Sequence, residues 1–222
     1  MNPSLHWPDL DDRTIDPDFT LHHLRAQDVA RVSSCLKAWY PDIGTGAAQG
    51  FLDPHFYAEN AALAGSGKGK ILALLVLTAG RPAAFYAYEQ DPDALSLYCR
   101  LVVIAPEFRR GGLGGHYLRL AEYLGRRMGL GFLYGLVSMK QRANMEGAEK
   151  SGWRLVGIMP GADREQVAPG VVKRVYEAIY AKQLAPAEDF MIPEPEVLSQ
   201  QGRALAEVLF PELLAPVPER RR

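Results

Sequence analysis

From residue 19 onward the chain switches between two hydrophobic rhythms, and the switches predict its elements. Residues 19–24 alternate apolar and polar side chains, the pattern of a half-buried strand. Val29, Val32, Leu36 and Trp39 then recur at spacings of three, four and three, one face of a helix over 28–40 that Asp28 can cap and Pro41 stops. Asp53-Pro54 opens a second, short helix, with proline near the first position, where a missing N–H costs nothing. Phe56, Asn60 and Leu63 mark one side of it, and the glycine-rich stretch 65–69 closes it. Residues 71–78 are an unbroken apolar run of strand length. The turn 79–82 leads to an antiparallel partner over 83–89, and Asp91-Pro92-Asp93 turns into a buried strand over 97–104.

Beyond that strand the rhythm becomes helical. Leu113, Tyr117, Leu120, Ala121, Leu124 and Met128 place one full apolar side on a helix over 113–128, ended by Gly129-Leu130-Gly131. Residues 132–138 form the next strand, and a strand–helix–strand unit of this kind sets its two strands parallel through a right-handed crossover. A short helix over 141–151, a strand entered by Trp153, a loop over 158–170 marked by Pro160-Gly161 and Pro169-Gly170, and a last strand over 171–181 complete the pattern. The predicted class is α/β of the α+β kind, with seven strands and four helices. Residues 1–17 read as an arm pinned by Trp7, 18–182 as the domain, and 183–222 as an extension with one helix over 194–210. That helix is expected to pack on the core, on a second subunit of a homodimer, or near the substrate. Arg220-Arg221-Arg222 is expected to be disordered.

Composition narrows the class little. Of 222 residues, 48% are hydrophobic and 23% charged, with a net charge of −1, so no global basic field argues for nucleic acid or a membrane surface. No apolar run reaches the length of a membrane span, and the acidic first twenty residues are not a signal peptide. Cys35 and Cys99 read as buried thiols, which suits a reducing cytoplasm. The five histidines show no metal-ligand spacing.

The chemistry concentrates between the strand 97–104 and the helix 113–128. The loop Arg109-Arg110-Gly111-Gly112-Leu113-Gly114-Gly115 has four glycines in five positions, so its amides face a ligand without side chains in the way. The helix begins there, and its unpaired N–H groups and the positive end of its dipole point at the same spot. Such a place binds phosphate or pyrophosphate. A dinucleotide loop would need a third glycine where Tyr117 stands. A Walker loop would need other spacing than Gly65-Ser66-Gly67-Lys68 offers, and a strand before it rather than a helix.

The spacing Arg109-x-x-Gly112-x-Gly114, directly after a strand ending Ile104-x-Pro106, resembles the pyrophosphate loop of the GNAT acyl-CoA-dependent N-acetyltransferases. A second stretch, Glu149-Lys150-Ser151-Gly152-Trp153 with Gly157, resembles the end of another motif of that family. Gln141 and Asn144 fall at its asparagine and serine positions. The resemblance covers residues 18–182. It implies a mostly antiparallel seven-stranded sheet whose two parallel central strands splay apart. Acetyl-CoA is the implied cofactor, its pantetheine lying along the backbone of Val102, Val103 and Ile104 and its diphosphate on residues 109–115. The implied reaction is direct attack of an amine, from a small molecule or a peptide, on the thioester. A backbone N–H near Val103 or Ile104 would serve the oxyanion. The family's proton-donating tyrosine falls at Ala148, so that acid is missing. Tyr98 stands where some members carry a glutamate base. Arg100 shares its face by strand alternation and Glu89 ends the preceding strand, and these three are the catalytic candidates. Two other readings stay open: a module that binds acyl-CoA without turnover, and an acyltransferase like the N-acyl amino acid and homoserine-lactone synthases, which the strand Arg100-Leu101-Val102-Val103 resembles.

Overall fold

The computed structural model of the protein describes residues 5–10, 13–66 and 68–214. The chain divides into two compact units, Met1–Leu184 and Ala185–Arg222.

The first unit is built on one sheet. In chain order its strands are β1 (Arg13–Asp16), β2 (Phe19–His23), β3 (Ala61–Ala62), β4 (Ile71–Thr78), β5 (Arg81–Asp91), β6 (Ser96–Ile104), β7 (Phe132–Ser138), β8 (Arg154–Ala168) and β9 (Val171–Gln183). They lie in the order β1-β2-β4-β5-β6-β7-β9-β8, with β3 alongside β4. Pairing is antiparallel throughout except for β3 with β4 and β6 with β7. On one face, helices α3 (Leu113–Met128) and α4 (Arg142–Lys150) cover Leu72, Leu74, Tyr86, Tyr88, Leu97, Cys99, Leu133 and Tyr180. On the other, α1 (Val29–Trp39) and α2 (Pro54–Asn60) cover Ile71, Ala73, Leu75, Phe85, Ala87 and Val103.

The two central strands diverge. β6 and β7 pair only from Ser96–Phe132 to Cys99–Gly135. Past that vertex β6 stays with β5 out to the Ala84–Ile104 pair, while β7 follows β9 to the Ser138–Glu177 pair. A wedge is left between residues 100–104 and 136–138. Val102 shows what this does to an apolar side chain: at mid-sheet height it is 38% exposed.

A bulge at Arg100 accompanies the split. Ala87 faces Leu101 and Tyr88 faces Cys99, so Arg100 is the extra residue. Leu97 and Cys99 therefore pack under α3, whereas Leu101 and Val103 pack under α1 and α2. Tyr117 of α3 locks the bulge: its hydroxyl donates to Ala87 O at 3.0 Å. Tyr86 and Tyr88 donate to the carbonyls of Leu113 and Tyr117, both at 2.7 Å, and so fix the first turns of α3 on the sheet. Tyr117→Phe would strand the buried carbonyl of Ala87. The expected loss is about 2 kcal/mol, read as a melting temperature lower by about 4–8 °C; an unchanged value would mean that the bulge holds without the hydroxyl.

Several sequence expectations are corrected. The sheet has nine described strands, not seven, because β1 lies within the expected arm and β3 is a two-residue addition. Trp7 does tie its segment down, donating to Gly69 O at 3.0 Å. The stretch 158–170 is not a loop. β8 runs through Pro160-Gly161 to Ala168, shifting register against β9 between Pro160 and Asp163, and only Pro169-Gly170 turns. β8 is an edge strand paired on one side, so a proline there need not break a ladder.

In the second unit the expected helix over 194–210 is shorter. A 3-10 turn, Pro195–Val197, precedes α5 (Gln200–Leu209), whose N-cap Ser199 accepts the N–H of Gly202 at 3.1 Å. Arg220-Arg221-Arg222 lies outside the described residues. Among the described residues no helix is long and apolar enough to cross a membrane.

Candidate active site

The glycine-rich loop sits at the open end of the wedge. After β6, a 3-10 turn Pro106–Phe108 leads to Arg109, and Arg110 and Gly112 take left-handed backbone angles with φ of 73° and 82°. Gly112 is the N-cap of α3, and no side chain caps that end. The N–H groups of Leu113, Gly114 and Gly115 therefore lack acceptors within the helix and point out of its start. Gly111 donates to Phe108 O at 3.2 Å, which closes the turn. A Cβ on Gly112 would meet nothing within 4 Å, so the N-cap itself faces open space.

Arg109 braces the loop from within the protein. Its Nε donates to Ile104 O at 3.2 Å and its Nη2 to Trp39 O at 2.6 Å, so its guanidinium ties the loop to the end of β6 and to α1. Arg110 is exposed beside it.

The open edge of β6 has a definite polarity. Ala105 N–H donates to Ala83 O at 2.9 Å, so by alternation Val103 also turns its amide toward β5, opposite Phe85. Val102 and Ile104 then face the wedge, and the bond from Arg109 to Ile104 O fits that direction. Val103, expected beside the acyl group, is buried on the α1 side.

On the far side of the wedge, α4 starts after Gln141, and Asn144 N–H bonds back to Gln141 O at 3.1 Å. Both side chains are exposed. The helix ends at Gly152 (φ 74°), with Gly152 N–H to Glu149 O at 2.9 Å and Trp153 N–H to Ala148 O at 3.1 Å. Ala148, at the tyrosine position of the resembled motif, is buried in the core.

The three catalytic candidates come together. Tyr98, Arg100 and Glu89 line one cleft of about 410 Å³ with Lys70, Gln90, Asp91, Pro92 and Tyr134. Glu89 is ion-paired to Lys70 at 2.7 Å and to Arg100 at 3.0 Å. The Arg100 guanidinium lies 5.8 Å from the centre of the Tyr98 ring, and Tyr98 stacks on Tyr134 at 5.0 Å. Burial pushes the Tyr98 hydroxyl up to about 12, against the pull of Arg100, so it stays protonated at neutral pH.

Sequence reasoning missed an acidic group on the same side. Glu177 of β9 and Asp163 and Glu165 of β8 are close enough for their charges to act on one another, and Glu177 is pushed up to about 7, first by burial and then by Asp163 and Glu165. The Tyr40 hydroxyl, at the end of α1, is pushed up to about 12 by burial and by these carboxylates with Asp42. One signal was available: Glu177 is a lone acid in the apolar half of the last strand, Tyr176-Glu177-Ala178-Ile179-Tyr180.

By sequence, no family model and no curated protein matches the chain. By structure, many solved acetyltransferases do. The acetyltransferase of the GNAT family from Streptococcus pneumoniae superposes with a TM-score of 0.56 at 14% identity, over 75% of this chain and 100% of that one. RimL, the ribosomal L7/L12 alpha-N-protein acetyltransferase in complex with coenzyme A, gives 0.59 at 14% identity, over 77% and 96%. The ribosomal-protein-S18-alanine N-acetyltransferase from Escherichia coli gives 0.54 at 18% identity, over 78% and 98%. The chain has the fold of the GNAT acetyltransferases.

Proposed function

We propose that the protein is an N-acetyltransferase that moves the acetyl group of acetyl-CoA to a primary amine by direct attack. One observation carries the reading: the unpaired edge of β6 opens beside the uncapped start of α3, so one extended ligand can satisfy both. Residues 109–115 receive the diphosphate through the amides of Leu113, Gly114 and Gly115, with Arg110 adding charge and Arg109 holding the loop. The pantetheine arm runs down the wedge as an added strand on Val102 and Ile104. Gln141 and Asn144 border it from α4. Acetyl-CoA supplies the thioester.

The wedge vertex at Cys99–Gly135 stops the arm and leaves the thioester carbonyl near Val102. Tyr98, protonated and half-buried just below, donates the proton to the leaving thiolate. Glu89 has both oxygens engaged by cations, so it positions Arg100 beside Tyr98 rather than reaching the amine. The acceptor is a small-molecule or peptide amine, the protein acts in the cytoplasm, and neither nucleic acid nor membrane is a partner.

Thiol release from acetyl-CoA tests this against a panel of polyamines, arylalkylamines, amino acids and peptide N-termini. Acceptor-dependent release is the expected result. Ala148 in place of an acid favours a second reading, a module that binds acyl-CoA without turnover. Tight binding of acetyl-CoA with no release for any amine would support that module and overturn the enzyme.

A further inference from the structure

The three carboxylates beside the wedge are not equivalent. Asp163 is occupied: its Oδ1 accepts the N–H of Ala47 at 2.9 Å and of Arg164 at 2.7 Å, which ties β8 to the segment after α1. Glu165 is occupied by an ion pair with Lys140. Glu177 is 8% exposed, and its Oε2 has no hydrogen-bond partner. A carboxylate oxygen buried without a partner is costly to a fold and calls for a reason.

Its position supplies one. Glu177 pairs with Ser138, three residues past the vertex residue Gly135, on the β7 arm of the wedge. Its neighbours Ala178 and Tyr180 pack under α3 and α4, so alternation turns Glu177 to the opposite face, the one that carries Tyr98 and Arg100. The charges of Glu177 and Asp163 reach the Tyr98 hydroxyl. Facing the same space are Tyr40 and Asp42 from the end of α1, Tyr98 from β6, Asp163 and Glu165 from β8, and Lys140 bound to Glu165. Among the described residues no group of three such ligands is arranged to hold a metal ion. An organic cation with directional N–H donors suits the free oxygen.

We propose that Glu177 receives the ammonium group of the acceptor amine beside the acyl carbon and takes one of its protons, so that the acceptor enters as a cation and attacks as a free amine. The inference rests on the acetyltransferase reading and assigns it a base. The balance is complete: R–NH3⁺ gives one proton to the Glu177 carboxylate, which returns it to solvent. The nitrogen lone pair forms the C–N bond, the C–S bond breaks, Tyr98 protonates the thiolate, and the second nitrogen proton restores Tyr98. A carboxyl held near neutrality is well matched to that exchange.

The test uses two CoA thioethers that differ only at the tip, S-(2-aminoethyl)-CoA and S-propyl-CoA, with CoA itself as reference, measured by calorimetry. At pH 8 the intact protein is expected to bind the ammonium thioether about tenfold more tightly than the propyl one. The preference should shrink toward pH 6, as Glu177 takes up a proton, and vanish in Glu177→Gln while the affinity for CoA is kept. The pH series on the unmodified protein stands even if the variant folds poorly. Equal affinities for the two thioethers, or a preference that survives in the variant, overturn the assignment of Glu177 while leaving the cofactor site standing. Failure of CoA itself to bind overturns the cofactor reading and this inference together.

Discussion

Gly112→Val is expected to remove CoA binding and leave the protein folded. Gly112 sits at φ 82°, where a β-branched residue is strained by about 1–2 kcal/mol. That is affordable for a domain of ordinary stability, typically about 5–15 kcal/mol. The cost to the ligand is larger, because the added side chain occupies open space at the N-cap, next to the amides of Leu113, Gly114 and Gly115. Losing two charge-assisted bonds of about 1.5–3 kcal/mol each lowers affinity about a hundredfold or more. Gly129→Val is the matched control. It has φ 68° and open surroundings, but lies at the other end of the same 16-residue helix, about 24 Å away. Calorimetry with CoA should separate the two variants, both losing similar stability and only the first losing the ligand. Equal affinities would place the diphosphate elsewhere.

Val102→Pro should have the second largest effect. Its N–H faces the wedge and Val103 carries the bond to β5, so proline removes a donor from the ligand side and spares the ladder. The ring also narrows the groove. CoA affinity is expected to fall about tenfold or more, the scale of one lost bond with added steric conflict, whereas Val102→Ala, which changes only an exposed side chain, should bind normally. Retained affinity in the proline variant would mean that the arm does not pair with β6.

The sequence was legible where one element has one clear rhythm. The helix over 113–128 and the strands over 71–78 and 132–138 match the structure end to end, because each is bounded by glycine, proline or a turn. The loop was legible because four glycines at a helix start have few other uses. The bulge was not, since an unbroken apolar run such as 101–104 has no period that could reveal a change of face at Arg100. β8 was hidden by Pro160-Gly161, which local chemistry reads as a turn and which an edge strand absorbs by shifting register. The role of Arg109 was hidden because its partners are backbone carbonyls, one of them on a helix seventy residues earlier. Glu177 was overlooked because the state of its carboxylate is a property of the fold: Asp163 and Glu165 find partners in Ala47, Arg164 and Lys140, and the buried Oε2 of Glu177 finds none.

Amide hydrogen exchange with and without saturating CoA tests the central claim most directly. The amides of Val102 and Ile104 on the wedge and of Leu113, Gly114 and Gly115 at the start of α3 should slow together when CoA is added, because one ligand occupies both sets. Exchange at these five that stays unchanged while CoA binds would contradict the account.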